Sequence, residues 1–414
     1  MSDQLHCRFA RTEEIGDAAK LVAHSFPGAT RSPAWWHEQL RDPRFGGGAG
    51  TLLVGFSGDR LVAACQVHPL RQWIGGEAFA VAGIGTVAIS PAHRKRRFGA
   101  SLVVAALLAA RERGDVASAL YPFRTSFYQK LGYGAAGFAE QWQVSPAVLP
   151  DSPERLRVEL LDDAARAEAL ELYGTWVVGQ TGQLERTERM WTHICAAPER
   201  ALFGYRDTAG ALAGYAVVTY RTDLPRATRY LEVDELVWTT AAARRGLFAW
   251  LASLGDQWEQ LLIRTLPSHR LADRIREPRL PLNSAPDWSL WAPAATLMMG
   301  PMFRLLDVHT AWQRRTVNAG RPLTVALELE DAHIDANHGR WRLAFEDGRT
   351  TVERAGAADL TLHLDVSTLS RLFIAALSPS AALDAELLRC DHADRLPELD
   401  AVLALPEPWT FDRF

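Results

Sequence analysis

The feature that most constrains this 414-residue chain is a repeat inside it. The strand-to-helix junction Ile89-Ser-Pro-Ala-His-Arg-Lys-Arg-Arg-Phe-Gly-Ala-Ser-Leu102 lies over Trp238-Thr-Thr-Ala-Ala-Ala-Arg-Arg-Gly-Leu-Phe-Ala-Trp-Leu251, 149 positions later. The elements before it recur in the same order. In the first copy an alternating strand at residues 5–11 leads into an amphipathic helix to Phe26. A short helix opened by Ser32-Pro33 follows. Two strands, 51–56 and 61–68, then flank the turn Ser57-Gly58-Asp59-Arg60. A third strand (81–89) stops at Pro91, a helix runs over 98–113 to Gly114, and a strand (116–121) leads into a short helix at 126–131. In the second copy 158–162, 164–173, 201–205, 213–220 and 230–238 repeat that plan. A chain written this way predicts two copies of one mixed α/β unit. The remainder differs. After the loop expected over 278–286, Met298–Asp307 leads into a helix. Alternating strands at 323–329, 339–345 and 360–364 then precede helices at 366–376 and 381–388, which make a closing α+β domain. The domains are expected at 1–150, 151–292 and 293–414.

Composition excludes several classes. The longest apolar run, Leu102–Ala110, is too short to span a bilayer, which takes about 20 residues. The polar start, Met1-Ser2-Asp3-Gln4, has no apolar core, so no signal peptide is expected and the location is cytoplasmic. A net charge of −4 argues against a general nucleic-acid binder. Cys7, Cys65, Cys195 and Cys390 form no CxxC pair, and the histidines have no HExxH spacing, so neither a disulfide scaffold nor a metal site is expected.

The chemistry concentrates at two places. His93-Arg94-Lys95-Arg96-Arg97-Phe98-Gly99-Ala100 runs from a strand end straight into a helix. Unpaired N–H groups and the positive end of the dipole at a helix start suit a phosphate, the cations add charge, and Gly99 allows close approach. A solvated basic turn is the plainer alternative. The second place is Phe127-Tyr128-Gln-Lys-Leu-Gly-Tyr133-Gly134. A phenol of pKa about 10 can protonate a thiolate of pKa about 8.5, and Tyr128 is placed for that; packing under the helix is the alternative.

With these residues on the page, the chain resembles the GNAT N-acetyltransferases. Their Arg-x-x-Gly-x-Gly/Ala pattern reads Arg94-Lys-Arg-Arg97-Phe-Gly99 here, with Arg97 replacing the first glycine. The second copy has Gly246 at that place but Ala243 for the arginine, so it reads as degenerate. The whole layout, closed by a sterol-carrier-protein-like domain and the aromatic end Trp409-Thr-Phe-Asp-Arg-Phe414, resembles the enhanced intracellular survival (Eis) acetyltransferases. That resemblance implies acetyl-CoA as cosubstrate, with Val87, Ala88 and Ile89 along the pantetheine arm. Lys95, Arg96, Arg97, Phe98, Gly99 and Ala100 would hold the pyrophosphate, and Phe123 and Arg124 fall at further cofactor positions where the family usually has Ser-Glu. It also implies Tyr128 as general acid and the Phe414 carboxylate as base. The acceptor would be a primary amine, such as an aminoglycoside or a polyamine-like molecule, attacking the thioester directly. A homo-oligomer, a hexamer by family expectation, without nucleic acid or membrane partners completes the picture. The competing expectation is a lipid- or hydrophobe-binding protein that uses the sterol-carrier-like domain, with vestigial acetyltransferase folds.

Overall fold

The computed structural model of the chain describes residues 4–26, 31–42, 44, 47–221, 229–276, 294–318 and 320–414; the loop expected over 278–286 lies outside them. The chain forms two compact units. One gathers the residues up to Gly137, Gln180–Glu185 and Pro301–Phe414, and the other holds Phe138–Gly179 and Arg186–Gly300.

In chain order the first copy supplies β1 (His6–Phe9), α1 (Ile15–Ser25), α2 (Pro33–Arg41), β2 (Leu52–Ser57), β3 (Arg60–Ile74), β4 (Glu77–Ile89), α3 (Phe98–Arg113), β5 (Ala117–Leu120), α4 (Thr125–Gln129), β6 (Gly134–Ala135) and β7 (Phe138–Val144). The second supplies β8 (Val158–Leu160), α5 (Asp163–Val177), α6 (Glu188–Ala196), β9 (Arg200–Arg206), β10 (Leu212–Tyr220), β11 (Tyr230–Trp238), α7 (Ala241–Ala252), β12 (Gln260–Thr265), β13 (Thr296–Met299) and β14 (Met302–Leu305). The C-terminal part adds α8 (Val308–Arg314), β15 (Leu323–Glu330), β16 (Gly339–Glu346), β17 (Arg349–Glu353), β18 (Leu360–Asp365), α9 (Val366–Phe373), α10 (Pro379–Asp384), β19 (Leu388–Asp391) and α11 (Leu396–Leu403).

The local sequence explains most of these. In α1, Ile15, Ala18, Ala19 and Val22 recur at helical spacing and are all buried. Helix α3 ends where Gly114 adopts a left-handed conformation (φ 98°). The hairpin β3–β4 is longer than the 61–68 and 81–89 strands expected. Gly75 and Gly76 both sit at positive φ (58° and 82°), which closes a two-residue turn, and the ladder continues to Ile74↔Glu77.

The two seven-stranded sheets share one plan. The first has the order β1-β2-β3-β4-β5-β14-β6, and the second, read from its other end, has β8-β9-β10-β11-β12-β7-β13. Strand β7, encoded in the first copy, pairs with β12 of the second sheet (Trp142↔Ile263). Strand β14, encoded at the end of the second copy, pairs with β5 of the first (Phe303↔Ala119). The copies have exchanged a strand, so neither sheet is built from one continuous stretch of sequence.

The C-terminal sheet, β17-β16-β15-β18-β19, has β15 at its centre, and Val325, Leu327 and Leu329 alternate into the core. That interior is filled by large rings: Trp312 meets Phe373 edge-on at 5.3 Å and Phe345 at 6.2 Å. Two buried arginines tie it together. Arg315 donates to the carbonyls of Phe373 (2.7 Å) and Leu403 (2.6 Å). Arg304 on β14 pairs with Asp331, and both side chains are fully buried. No helix among the described residues is long and apolar enough to cross a membrane.

Candidate active site

Strand β4 carries the site. It pairs along one side with β3 up to Ala63↔Ile89, but along the other side its parallel ladder with β5 ends at Gly83↔Ala119. Beyond Gly83 the two strands part and leave an edge of β4 without a partner strand. A bulge lies just there. The register shifts between Ala64↔Ala88 and Gln66↔Gly85, so Thr86 and Val87 together oppose Cys65. Thr86 holds φ 53°, uncommon for a β-branched residue, and its hydroxyl donates to Gln66 Oε1 at 2.8 Å. An unpaired edge offers backbone donors and acceptors to an extended ligand lying along it.

The β4 edge opens into a cleft of about 880 Å³. Val87, Ala88, Ile89, Lys95, Arg97, Phe98, Gly99, Ala100 and Phe123 line it, so most of the cofactor positions expected from the sequence come together. Arg96 and Arg124 are not among the lining residues. His93 and Arg94, the start of the same basic run, line it too, as do Ser25, Phe26, Phe127, Lys130 and Leu131, which the sequence reading did not single out for cofactor contact. Lys130 was the most legible of these: it lies two residues after Tyr128 and brings a second lysine to the cleft.

The cleft floor is the start of α3. Its N-cap, Arg97, makes no side-chain cap, so the first N–H groups of the helix are left without a capping side chain. Lys95 and Arg97 both lie at positive φ (62° and 64°). Arg97 therefore takes a left-handed conformation that a glycine would adopt without strain, at a cost of roughly 1–2 kcal/mol. Successive N–H groups in such a turn form a concavity suited to an anion. Arg94 has a different task, since its guanidinium donates to Ser25 O at 2.7 Å and fastens the end of α1 to the loop. Gly99 faces the Phe127 ring, and a methyl there would meet it at ordinary contact distance, 3.5 Å from Cζ.

In the second copy the helix begins earlier: Gly246, which stands over Arg97, lies inside α7, and the chain packs closely against it. A methyl on Gly246 would lie 2.4 Å from the Tyr205 ring and 3.1 Å from the Glu154 carbonyl oxygen. Tyr205 donates its hydroxyl to Glu154 Oε2 at 2.5 Å, and Thr240 caps α7 by accepting from Ala243 N. The start of α7 thus has one of its first N–H groups taken by a capping side chain, unlike the start of α3.

Tyr128 sits one ring behind the cleft, edge-on to Phe127 (4.9 Å) and Phe123 (5.6 Å), and is 3% exposed. Burial pushes its phenol well above the ordinary value, with the nearby Cys65 adding to the rise. Its neighbour Tyr133 is hydrogen-bonded to Ser118 Oγ at 2.7 Å, whereas no hydrogen bond of the Tyr128 hydroxyl is found among the described residues. The segment is held from the C-terminal part. Arg304 donates to Leu131 O (3.2 Å), Ser367 Oγ donates to Tyr133 O (3.1 Å), and His333 Nε2 lies 3.0 Å from Lys130 O.

Phe414 does not line the cleft but lies against the same strand. Its ring rests beside Gly83, where a methyl would come within 2.7 Å of Cδ2, and packs on Tyr121 at 5.6 Å. Tyr121 donates to the Asp412 carbonyl (2.7 Å), and Trp409 N donates to Thr181 O (2.9 Å), which pins the last residues in place. Asp412 is buried, while Arg413 is exposed and turned to solvent. No group of three or more potential metal-ligating side chains gathers among the described residues.

Comparisons with known proteins agree with this geometry. Family profiles described as an acetyltransferase (GNAT) domain match residues 6–136 and 182–305, and a sterol carrier protein domain matches residues 308–411. An uncharacterized N-acetyltransferase of Streptomyces avermitilis is 27% identical over 87% of this chain and 88% of its own length. The N-acetyltransferase Eis of Mycobacterium tuberculosis is 27% identical over 88% of this chain and 86% of its own. The crystal structure of a GCN5-related N-acetyltransferase from Kribbella flavida superposes with a TM-score of 0.82 at 25% identity, covering 100% of this chain and 99% of that one.

Proposed function

Because the chain belongs to the Eis-type GNAT N-acetyltransferases, we propose that it transfers the acetyl group of acetyl-CoA to a primary amine of a small acceptor, of the aminoglycoside or polyamine-like kind, by direct attack on the thioester. One observation carries the reading: the unpaired edge of β4 runs into an uncapped, cation-lined helix start within a single cleft. That is the shape and charge of an extended thioester arm ending in a pyrophosphate. Acetyl-CoA supplies an activated acyl carbon and a thiolate leaving group.

The backbone of Val87, Ala88 and Ile89 bonds the arm and the thioester oxygen. Lys95, Arg97 and the N–H groups of Phe98, Gly99 and Ala100 hold the phosphates. Arg96 and Arg124 keep only an outer electrostatic part in this scheme. The Phe414 carboxyl removes a proton from the acceptor ammonium, and the freed nitrogen attacks the acetyl carbon. As the C–S bond breaks, Tyr128 gives its proton to the departing sulfur, and the second proton lost by the attacking nitrogen as the amide forms restores the phenol. Its raised pKa keeps the phenol protonated throughout the physiological range. The same dry surroundings raise the thiolate's demand for a proton, so the transfer is not made uphill by burial alone. The outward Arg413 leaves the acceptor side open to a polycation. We assign the C-terminal domain, its interior filled by aromatic rings, to holding β14 and the Tyr128 segment rather than to carrying a hydrophobe. A cytoplasmic hexamer is part of the same reading.

The test is thiol release from acetyl-CoA with a panel of aminoglycosides, polyamines and lysine peptides, run beside Tyr128→Phe and a variant lacking Phe414. Amine-dependent release that falls by about a hundredfold or more in both variants is expected. Full activity in either variant removes that residue from the mechanism. Acetyl-CoA binding without turnover on any amine removes the acceptor class.

A further inference from the structure

A buried imidazole shares the space occupied by the Phe414 carboxyl. His68 is 5% exposed on β3 and stands opposite Gly83 of β4. A methyl on Gly85 would lie 3.3 Å from His68 Nε2 and 3.6 Å from the Phe414 carboxyl carbon, so both groups converge on one small volume above that glycine. Gly83, one residue pair along, is covered by the Phe414 ring and by Leu70, which a methyl there would approach to 2.7 and 2.5 Å. The two glycines thus let the aromatic ring lie on β4 and leave the terminal carboxyl carbon and the imidazole Nε2 over the same glycine.

We propose that His68 is the second half of the general base: the acceptor's proton leaves by way of the Phe414 carboxyl and is held by the His68 ring. This rests on the role assigned to Phe414 above. In water a terminal carboxyl has a pKa of about 3.3–3.7 and an imidazole about 6.5, about a thousandfold difference in proton affinity in favour of the ring that burial narrows from both sides. A carboxylate beside the ring raises that affinity further. In the step, an N–H bond of the acceptor ammonium breaks and its electron pair stays on nitrogen for the attack. The proton ends as an N–H of the imidazolium, the carboxylate stays ionised as its counter-ion, and the ring returns the proton to solvent after product leaves.

The groups around the ring are consistent with that role. On β3 its neighbours along the strand face are Gln66, engaged by the Thr86 hydroxyl, and Leu70. Strand β4 presents Gly83, Gly85 and Thr86. The terminal segment presents the Phe414 carboxyl, with the Asp412 side chain buried and that of Arg413 exposed. Tyr121 uses its hydroxyl on the Asp412 carbonyl. Farther along, Arg71 is paired with Glu185 and Arg113 with Asp115, each at 2.6 Å.

The experiment compares the pH profile of kcat/KM for the full chain, for His68→Gln and for the variant lacking Phe414, all with one acceptor so that its own titration is common. NMR titration of the histidine ring protons, with His68→Gln giving the assignment, is the second readout. The full chain is expected to show an acid limb in the imidazole range. His68→Gln should lose that limb and about a hundredfold in kcat at pH 7, with the KM for acetyl-CoA unchanged. Removing Phe414 should lower the titration midpoint of the His68 ring, a readout that needs no activity. An unaltered rate and pH profile in His68→Gln overturns the proposal while leaving Phe414 in place. An unaltered His68 midpoint without Phe414 overturns it as well. Full activity without Phe414 instead overturns the underlying assignment.

Discussion

Asp331→Ala tests how far the C-terminal domain supports the catalytic segment. Asp331 takes both of its close ionic contacts from one guanidinium nitrogen of Arg304, at 2.7 and 3.0 Å, and both side chains have no exposed area. It also accepts from the amides of His333 (3.0 Å) and Ile334 (3.1 Å) and from Asn337 Nδ2 (3.0 Å). Removing the carboxylate leaves a buried cation without its counter-charge, which costs about 3–5 kcal/mol. The orphaned amides would add to that, but water entering the vacated space offsets part of it. Against a total stability of about 5–15 kcal/mol, the loss is a third or more for a protein of middling stability. The consequence reaches the site because Arg304 also holds Leu131 O, and its guanidinium packs 2.7 Å from where a side chain of Gly132 (φ 84°) would begin. Urea unfolding gives the stability change, and hydrogen exchange of the peptide covering residues 125–135 reports the loosening. The paired change Arg304→Met with Asp331→Leu removes both charges and should recover at least half of the loss. A stability change below about 1 kcal/mol for Asp331→Ala would refute the reasoning.

Three further outcomes are expected. Gly83→Ala drives a methyl into Leu70 and the Phe414 ring; it should destabilise by about 1–3 kcal/mol and depress kcat far more than the KM for acetyl-CoA, and an unchanged kcat would show that the terminal ring can move aside without effect. Arg97→Gly relieves a left-handed residue while deleting a cation; thermal stability should rise by about 1 kcal/mol while acetyl-CoA binding weakens and becomes less salt-dependent, and a fall in stability would contradict the strain. Burial raises Cys65, Tyr128 and Tyr133 above their unfolded values, so their contribution is complete below those values and drains away above them. The melting temperature should therefore begin to fall near pH 8.5, where an unfolded thiol ionises, and more steeply above about pH 10, where phenols do; a flat profile from pH 8 to 11 would contradict the assigned burial.

The sequence spoke clearly where chemistry is local. The basic turn and Gly99 had to stand at a helix start, because Pro91 ends the strand and an apolar run begins at Phe98. Gly75-Gly76 was equally local and marks the turn that lengthens β3 and β4, but an expectation of short hairpin strands passed over it. The strands β7 and β14 could not be assigned in the same way. Each pairs with a strand more than a hundred residues distant, as do the short strands β6 and β13 that precede them, and nothing in Phe138–Val144 or Met302–Leu305 states that address. His68 was silent for the same reason: its significance comes from Phe414, brought beside it by glycines on a neighbouring strand. Arg97 stands between these cases. Its identity departs from the glycine pattern, and only the backbone angle shows that the position is one a glycine would suit.

The exchanged strands have a consequence for how the polypeptide is made. A ribosome completes β5 long before it reaches β14, so during synthesis the edge Ala117–Leu120 waits for a neighbour still unmade, although all four of its residues are buried in the finished protein. A waiting apolar edge recruits other strands, including those of a second nascent chain. A fragment stopped near residue 150 would keep that edge bare permanently and carry an unhoused β7 as well. The copy that carries the candidate site therefore cannot complete its own sheet: it needs β14 from the other copy.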